Sequence, residues 1–468
     1  MKYLLSILCL FILSCDDKSS NLNIREFLTN DEKIESLFKI NNYFCFIDSN
    51  TKNILCPINE PASFINGTDY TGIIEFSNAH YESISIQGDL ISNGDTYTFE
   101  SINFTEEFEI KTVNRHNSLL DEMFFNEDEY QLKFTLLPTV MFYTNTEIVD
   151  EPKVSSKILI NDIIGNNIYN LFSGIELRGF TAQSFDKKSY DIELWEDELG
   201  EDTEKEELFN LRNDDDWILD AMYIDPSRSR NITAMQIWQT FLATATYLPE
   251  EEEARLGQRG EYIELFINDE YLGIYSMNEQ IDKKQLQLKS SGGLLYKAED
   301  WTMETHFEGI QEEPVASNVW QGFELKYPND DITEENWETL RNFIDLVANS
   351  TDEVFSNSIE ESLDIDNAIC YFIFINLIQA LDNTGKNQFI FRYDENYPLV
   401  FAPWDLDITL GNYTALPWFE DDTINDIKTN DIFNRLYDLD VNGYRNKVKS
   451  TWNNLNQLNL YSELSGLF

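Results

Sequence analysis

The apolar run "AICYFIFINLIQAL" most narrows the folds open to this chain, because it stops abruptly at polar "DNTGKN" and resumes as the strand-like "QFIFRY". A helix that is apolar on nearly every face has to be buried on most sides. The run is also shorter than a bilayer-spanning helix requires. The fold must therefore wrap a core around it and hold Asp382, Lys386 and Asn387 in a turn at the edge of that core. An acid, a base and an amide fixed in such a place need a chemical reason.

At 468 residues, 42% hydrophobic and 14% aromatic, the chain has material for two or three packed domains. Acidic residues number 85 against 33 basic, a formal charge of −52. Such a surface repels nucleic acid and anionic head groups, which excludes a general nucleic-acid-binding role. Runs such as "EDELGEDTEKEE" read as solvated loops. Against this field a site handling phosphate must gather cations locally, so clusters of Lys and Arg carry more information than usual.

The N-terminus "MKYLLSILCLFILSC" has one Lys, an apolar stretch and then Cys15 before polar "DDKSS". It resembles a bacterial lipoprotein signal in which residues 1–14 are removed and Cys15 is lipidated. The expected location is the cell envelope, lipid-anchored at the outer membrane and facing its surface, with the lipid as the sole membrane contact. Cys45 and Cys56 flank a hairpin and form a candidate disulfide in an oxidising compartment, and Cys370 reads as a buried thiol. The cysteines and the three histidines show no zinc-ligand spacing.

Short alternating runs broken by turn signals, such as "TGIIEF" and "SISIQGDLI", predict a β-rich module over residues 15–134, antiparallel and sandwich-like. Residues 135–468 form the second domain, with strands first, a hairpin in "EYIELFINDEYLGIYSMNEQI", and helices later in "TEENWETLRNFIDLVAN" and "DIDNAICYFIFINLIQAL". A last hairpin, "QFIFRYDENYPLVFAPW", leads into "DLD". The order predicts an α+β body of two lobes. "DLDVNG" opens like a calcium loop, but its twelfth position is Lys449, so it reads as the start of a helix.

Three polar clusters interrupt the apolar texture. "RGFTAQSFDKKSY" offers Arg178, Lys187 and Lys188 around Gly179, a set suited to a phosphate chain or, more plainly, a hairpin whose lysines screen nearby acids. In "DNTGKN", Asp382 and Asn387 have the Asp-x4-Asn spacing of a kinase catalytic loop, where a carboxylate takes the acceptor's proton and an amide oxygen holds Mg2+. The plain alternative is a capped turn. In "PWDLD" a strand delivers Asp405, with Asp407 two residues on.

Taken in order, "LRGFTAQSFDKKSY", "YIDPSRSRN", "YIELFINDEYLGIYSMNEQID", "DNTGKN" and "FAPWDLDITLG" resemble the motifs of the spore-coat-H (CotH) family of atypical secreted or surface protein kinases. The resemblance runs from about Leu137 to the C-terminus. It implies a two-lobed kinase-like domain and transfer of phosphate from ATP, with Mg2+ or Mn2+, to Ser or Thr of an unidentified extracytoplasmic or cell-surface protein. Asp382 would be the catalytic base or orient the hydroxyl, and Asn387 and Asp405 would hold the metal with Asp407 as helper. Lys187 or Lys188 would contact phosphate, strand alternation letting only one of them point inward. Arg178 and Arg230 are further phosphate or structural candidates, Glu279 is placed near the adenine or the lysine, and Lys386 is a phosphate candidate. The chain lacks a Gly-x-Gly-x-x-Gly loop and a His-Arg before Asp382, so it departs from ordinary kinases. Two other functions share such a fold: a surface adhesin without turnover, and another ATP-dependent transfer such as adenylylation or glutamylation.

Overall fold

A computed structural model describes residues 29–61, 67–103, 105–117, 123–412 and 430–457. The lipoprotein signal and Cys15 lie outside these residues. The chain divides into two compact units. The first takes in Met1–Asn145, Lys157–Asn170 and Leu265–Leu272, and the second Thr146–Ser156, Leu171–Glu264 and Gly273–Phe468. The architecture is mixed α+β, rich in sheet, with seven α-helices among the described residues.

In the first unit the alternation read from the sequence becomes two sheets. One has four strands, Tyr43–Phe44, Lys39–Ile40, Thr68–Glu75 and Thr96–Ile102 in that spatial order. The other has six: Phe46–Asp48, Asn53–Pro57, Met123–Thr135, Phe108–Asn117, Tyr81–Ile86 and Asp89–Ile91. Tyr70, Phe99, Phe108 and Phe134 meet edge-on in their core, with Phe99 and Phe134 centroids 5.0 Å apart. The expectation of an antiparallel module needs one correction, because Asn53–Pro57 pairs in parallel with residues 131–135. A parallel pair requires a long crossover, and the intervening hairpins supply it. Cys45 and Cys56, one register step beyond the Phe46–Leu55 pair, are buried thiols with their sulfurs 2.7 Å apart.

Seven strands close into a barrel in the order Thr139–Tyr143, Val154–Asp162, Asn167–Arg178, Ser189–Trp195, Asp216–Asp220, Glu270–Asn278 and Gly260–Ile267. The hairpin expected in "YIELFINDEYLGIYSMNEQ" forms, turning at Asn268 and Asp269, both with positive φ (51° and 62°). That turn matches the right-handed twist of its strands.

In the second unit a five-stranded sheet, ordered Val319–Trp320, Phe323–Tyr327, Leu294–Ala298, Gln388–Arg392 and Leu399–Pro403, packs with helices. The short strands "LLYKA" and "FELKY" were not read in the sequence, where they are too brief for their alternation to stand out. The apolar run forms the helix Ile365–Ile378, capped at Asp364 and stopped by Gln379 in the left-handed conformation. Tyr371 stacks on Phe401 at 5.1 Å, and Trp238 lies 5.2 Å from Phe374. "DLDVNG" ends the helix Asp431–Leu439 and leads into the helix Tyr444–Gln457. No described helix is long and apolar enough to cross a membrane.

One buried polar side chain ties the helix to the sheet. Asn367 donates to the carbonyls of Thr244 (2.9 Å) and Phe401 (3.1 Å), and its Oδ1 accepts from the Phe401 amide (2.8 Å). Removing it strands buried backbone groups away from water. Asn367→Ala is expected to lower stability by roughly 2–4 kcal/mol in urea unfolding, more than an exposed Asn on a helix surface would cost.

Candidate functional site

The helix Ile365–Ile378 delivers the polar turn. After Gln379 the chain makes a short 3-10 turn, Asp382–Thr384, whose geometry is set by Thr384 Oγ1 donating to the Leu381 carbonyl (2.8 Å) and Tyr371 Oη donating to the Asn383 carbonyl (3.0 Å). Asn383 Nδ2 donates to the carbonyls of Asn387 and Trp404, drawing both ends of the site together. The Asn387 amide donates to Ala298 O (2.9 Å), and the Trp404 amide donates to Asn387 O (3.0 Å). The turn is thus sewn to two strands of the sheet.

Asn387 and Asp405 both take positive φ, 52° and 55°. This region is uncommon for residues with a Cβ, although Asn and Asp tolerate it best. Asn387 immediately precedes and Asp405 shortly follows the paired strand ends Gln388↔Pro403.

Asn387 Nδ2 donates to Asp382 Oδ2 at 3.3 Å, which leaves the amide oxygen for another partner. Lys386 Nζ lies 3.9 Å from the same carboxylate oxygen. Burial raises the Asp382 pKa above the usual carboxylate range, with Lys386 acting in the opposite direction. Asp405 keeps an open edge to solvent, yet protein crowds it closely enough to raise its pKa, and the Asp382 charge raises it further. Asp407 is raised further still, by burial and then by Asp405 and Asp220, and it shares a hydrogen bond with Asp405. The structure therefore brings Asp382, Asn387, Asp405 and Asp407 together.

Two members of this neighbourhood escaped the sequence reading. Asp220 accepts from the Met222 amide (2.9 Å) and from Asn231 Nδ2 (3.4 Å), while Asn231 Oδ1 accepts from the Leu406 amide (3.2 Å). Asn231 thus connects Asp220 to the turn that carries Asp405 and Asp407. Lys297, beside Ala298, sits 5.8 Å over the Trp404 ring, pairs with Glu299 at 2.8 Å, and lowers the Asp405 pKa. Asn231 stands inside the quoted "SRN", but nothing in one sequence shows which residue of that triplet faces inward. "LLYKA" carries no polar cluster at all.

The remaining candidates divide. Arg178 pairs with Asp191 at 2.8 Å and lies 5.7 Å over Trp404, at the edge of the cluster. Lys187 donates to the carbonyls of Ala221 (3.1 Å) and Ile274 (2.5 Å) and lies 3.9 Å over the Tyr275 ring. Burial, then neighbouring Arg228, push its pKa down to about 8. Lys188 turns the other way, onto the carbonyls of Gln183 (2.8 Å) and Phe185. Arg230 is held within its own turn by Asp225 and Ser227. Buried Glu279 accepts from Arg259 and from the Arg212 amide (2.8 Å).

Among the described residues no three Asp, Glu, Cys or His side chains converge as a metal cage. The donor set still fits a small hard cation. Mg2+ is commonly held by one or two carboxylates together with substrate phosphates, and Asp405, Asp407 and the Asn387 amide oxygen are of that chemistry.

The comparison with known families is specific. The family model for CotH kinase protein matches residues 175–463. This is more than half of the chain, and the chain belongs to the CotH kinase family; membership makes it a kinase-like protein. Among curated proteins none matches the chain.

The crowding has a measurable consequence. A carboxylate whose folded pKa is raised costs stability once pH exceeds its unfolded value, because the unfolded chain ionises it more readily. Asp405→Asn is therefore expected to raise the Tm of the nucleotide-free protein at pH 7.5, by about 1 °C at most because solvent screens the exposed carboxylate. The gain should fade as pH falls toward the ordinary Asp pKa of about 3.9. Differential scanning calorimetry at both pH values checks it.

Proposed function

We propose that the protein transfers the γ-phosphate of ATP to Ser or Thr hydroxyls of extracytoplasmic or cell-surface proteins. The observation that carries this reading is the convergence of Asp382 and Asn387, in one clamped turn, with Asp405 and Asp407 at the neighbouring strand end. Phosphoryl transfer asks a protein mainly for positioning and charge neutralisation. In this reading residues 15–134 are a β-rich module and residues 135–468 a two-lobed kinase-like body.

Asp382 orients the acceptor hydroxyl and takes its proton. Burial raises its pKa, which makes the carboxylate a stronger base than an exposed one. Asp405, Asp407 and Asn387 would hold Mg2+ or Mn2+, which when bound supplies charge neutralisation at the phosphates. Lys187, which reaches across to the Ala221 and Ile274 carbonyls, is the better placed of the lysine pair for the phosphate chain, since Lys188 is folded back on its own loop. Lys386, Lys297 and Arg178 add positive charge around the carboxylates. Glu279 and Arg230 hold loops in place through Arg259 and Asp225. The lipoprotein-like N-terminus supports anchoring through Cys15 in the bacterial envelope, so the protein substrate would be met outside the cytoplasm.

Incubating the purified protein with γ-labelled ATP, a divalent cation and envelope proteins should label protein acceptors. Asp382→Ala and Asp405→Ala should each reduce labelling by at least about 100-fold, within the range seen when transition-state contacts are removed. Equal labelling in all three proteins would sink the assignment. Label from α- but not γ-labelled ATP would replace it with adenylylation.

A further inference from the structure

The turn bearing Asp382 contains a glycine that its backbone does not demand. Gly385 has φ −152°, outside the left-handed region that favours glycine. Space is what excludes a side chain. A Cβ at Gly385 would lie 2.6 Å from His306 Nε2, 2.7 Å from Cε1 and 2.9 Å from Cδ2. The imidazole occupies the volume that any other residue would need.

His306 is itself firmly set. Its Nδ1 is 2.9 Å from the Thr302 carbonyl, which can only accept, so Nδ1 donates there and the ring turns its Nε2 edge to Gly385. Trp301 meets the ring edge-to-face at 5.2 Å. The His306 amide donates to Thr302 O (3.2 Å), and the His306 carbonyl accepts from the Asp431 amide (3.3 Å). Asn430 Nδ2 adds a bond to Thr384 O (3.1 Å). Residues 302–306 and 430–431 thus brace the turn on one side, while Ala298 and Trp404 hold Asn387. The brace reaches the chemistry through the backbone, since the amides of Gly385 (3.4 Å) and Lys386 (2.9 Å) donate to the Asp382 carbonyl.

We propose that His306 is a positioning residue for the Asp382–Asn387 turn, seating its Nε2 edge in the space left by Gly385 and so fixing where Asp382 and Lys386 stand. The catalytic consequence rests on the kinase reading; the packing relation does not.

Size exchange in the full-length protein tests both. Gly385→Ala should lower the turnover number at least about tenfold while KM for ATP stays within about twofold, because an ångström of misplacement costs rate more than binding. His306→Ala should cost a few-fold, and the double variant should recover to within about threefold of His306→Ala, since it returns the space. Hydrogen–deuterium exchange over residues 382–387 should be faster in Gly385→Ala and in His306→Ala than in the parent, and slower in the double variant than in Gly385→Ala. Turnover unchanged in Gly385→Ala, or a double variant no better than it, overturns the proposal. A parent protein that transfers no phosphate but shows this exchange pattern defeats the kinase reading alone. If Gly385→Ala does not fold, His306→Ala decides: exchange unchanged in the turn overturns the positioning role.

Discussion

Asn387 is hydrogen-bonded through its backbone on both sides, its amide to Ala298 and its carbonyl to the Trp404 amide, and the rest of the site depends on this clamp. Those bonds convert the end of a buried helix and the ends of two strands into one rigid piece. Without them Asp382 would sit on a free loop, and the cost of ordering it would fall on whatever binds there. The clamp holds because the apolar helix beneath it cannot leave the core, and Asn367 locks that helix to the strand leading to Asp405.

A second constraint is electrostatic. The chain is very acidic, and its site concentrates further carboxylates: Asp220, Asp382, Asp405 and Asp407, each with its pKa pushed up. Crowded acids of this kind destabilise one another until a cation or a proton enters. Several of the cations nearby already have partners, Arg178 with Asp191 and Lys297 with Glu299. In the proposed kinase reading a bound cation would relieve this crowding.

Reading the sequence located the turn and its strand partners because they announce themselves locally. An apolar run cut by "DNTGKN", then a hairpin ending in "PWDLD", fixes which residues lie at the helix end and the strand end. Asp382, Asn387, Asp405 and Asp407 followed from that. The reading was weaker wherever direction mattered. Arg230 reads in sequence as a phosphate or a structural residue and Glu279 as near the adenine or the lysine, and the structure pairs them with Asp225 and Arg259. Asn231, next to Arg230, is the residue that reaches the site. Adjacent positions on a turn differ by side-chain direction, and composition carries no trace of it. The parallel pairing of Asn53–Pro57 was equally hidden, since alternation specifies a strand without naming its partner.

By itself the sequence determined the family, the mixed α+β class, the acidic surface and the four candidate residues Asp382, Asn387, Asp405 and Asp407, because each is written in short-range pattern or in ordered motifs. Only the tertiary structure decided which lysine of Lys187 and Lys188 turns inward, that Asp220, Asn231 and Lys297 join the cluster, and that His306 packs on Gly385. Those facts depend on contacts between residues far apart in the chain. Close packing sets them, and a linear order of residues does not encode which distant side chains will share a volume.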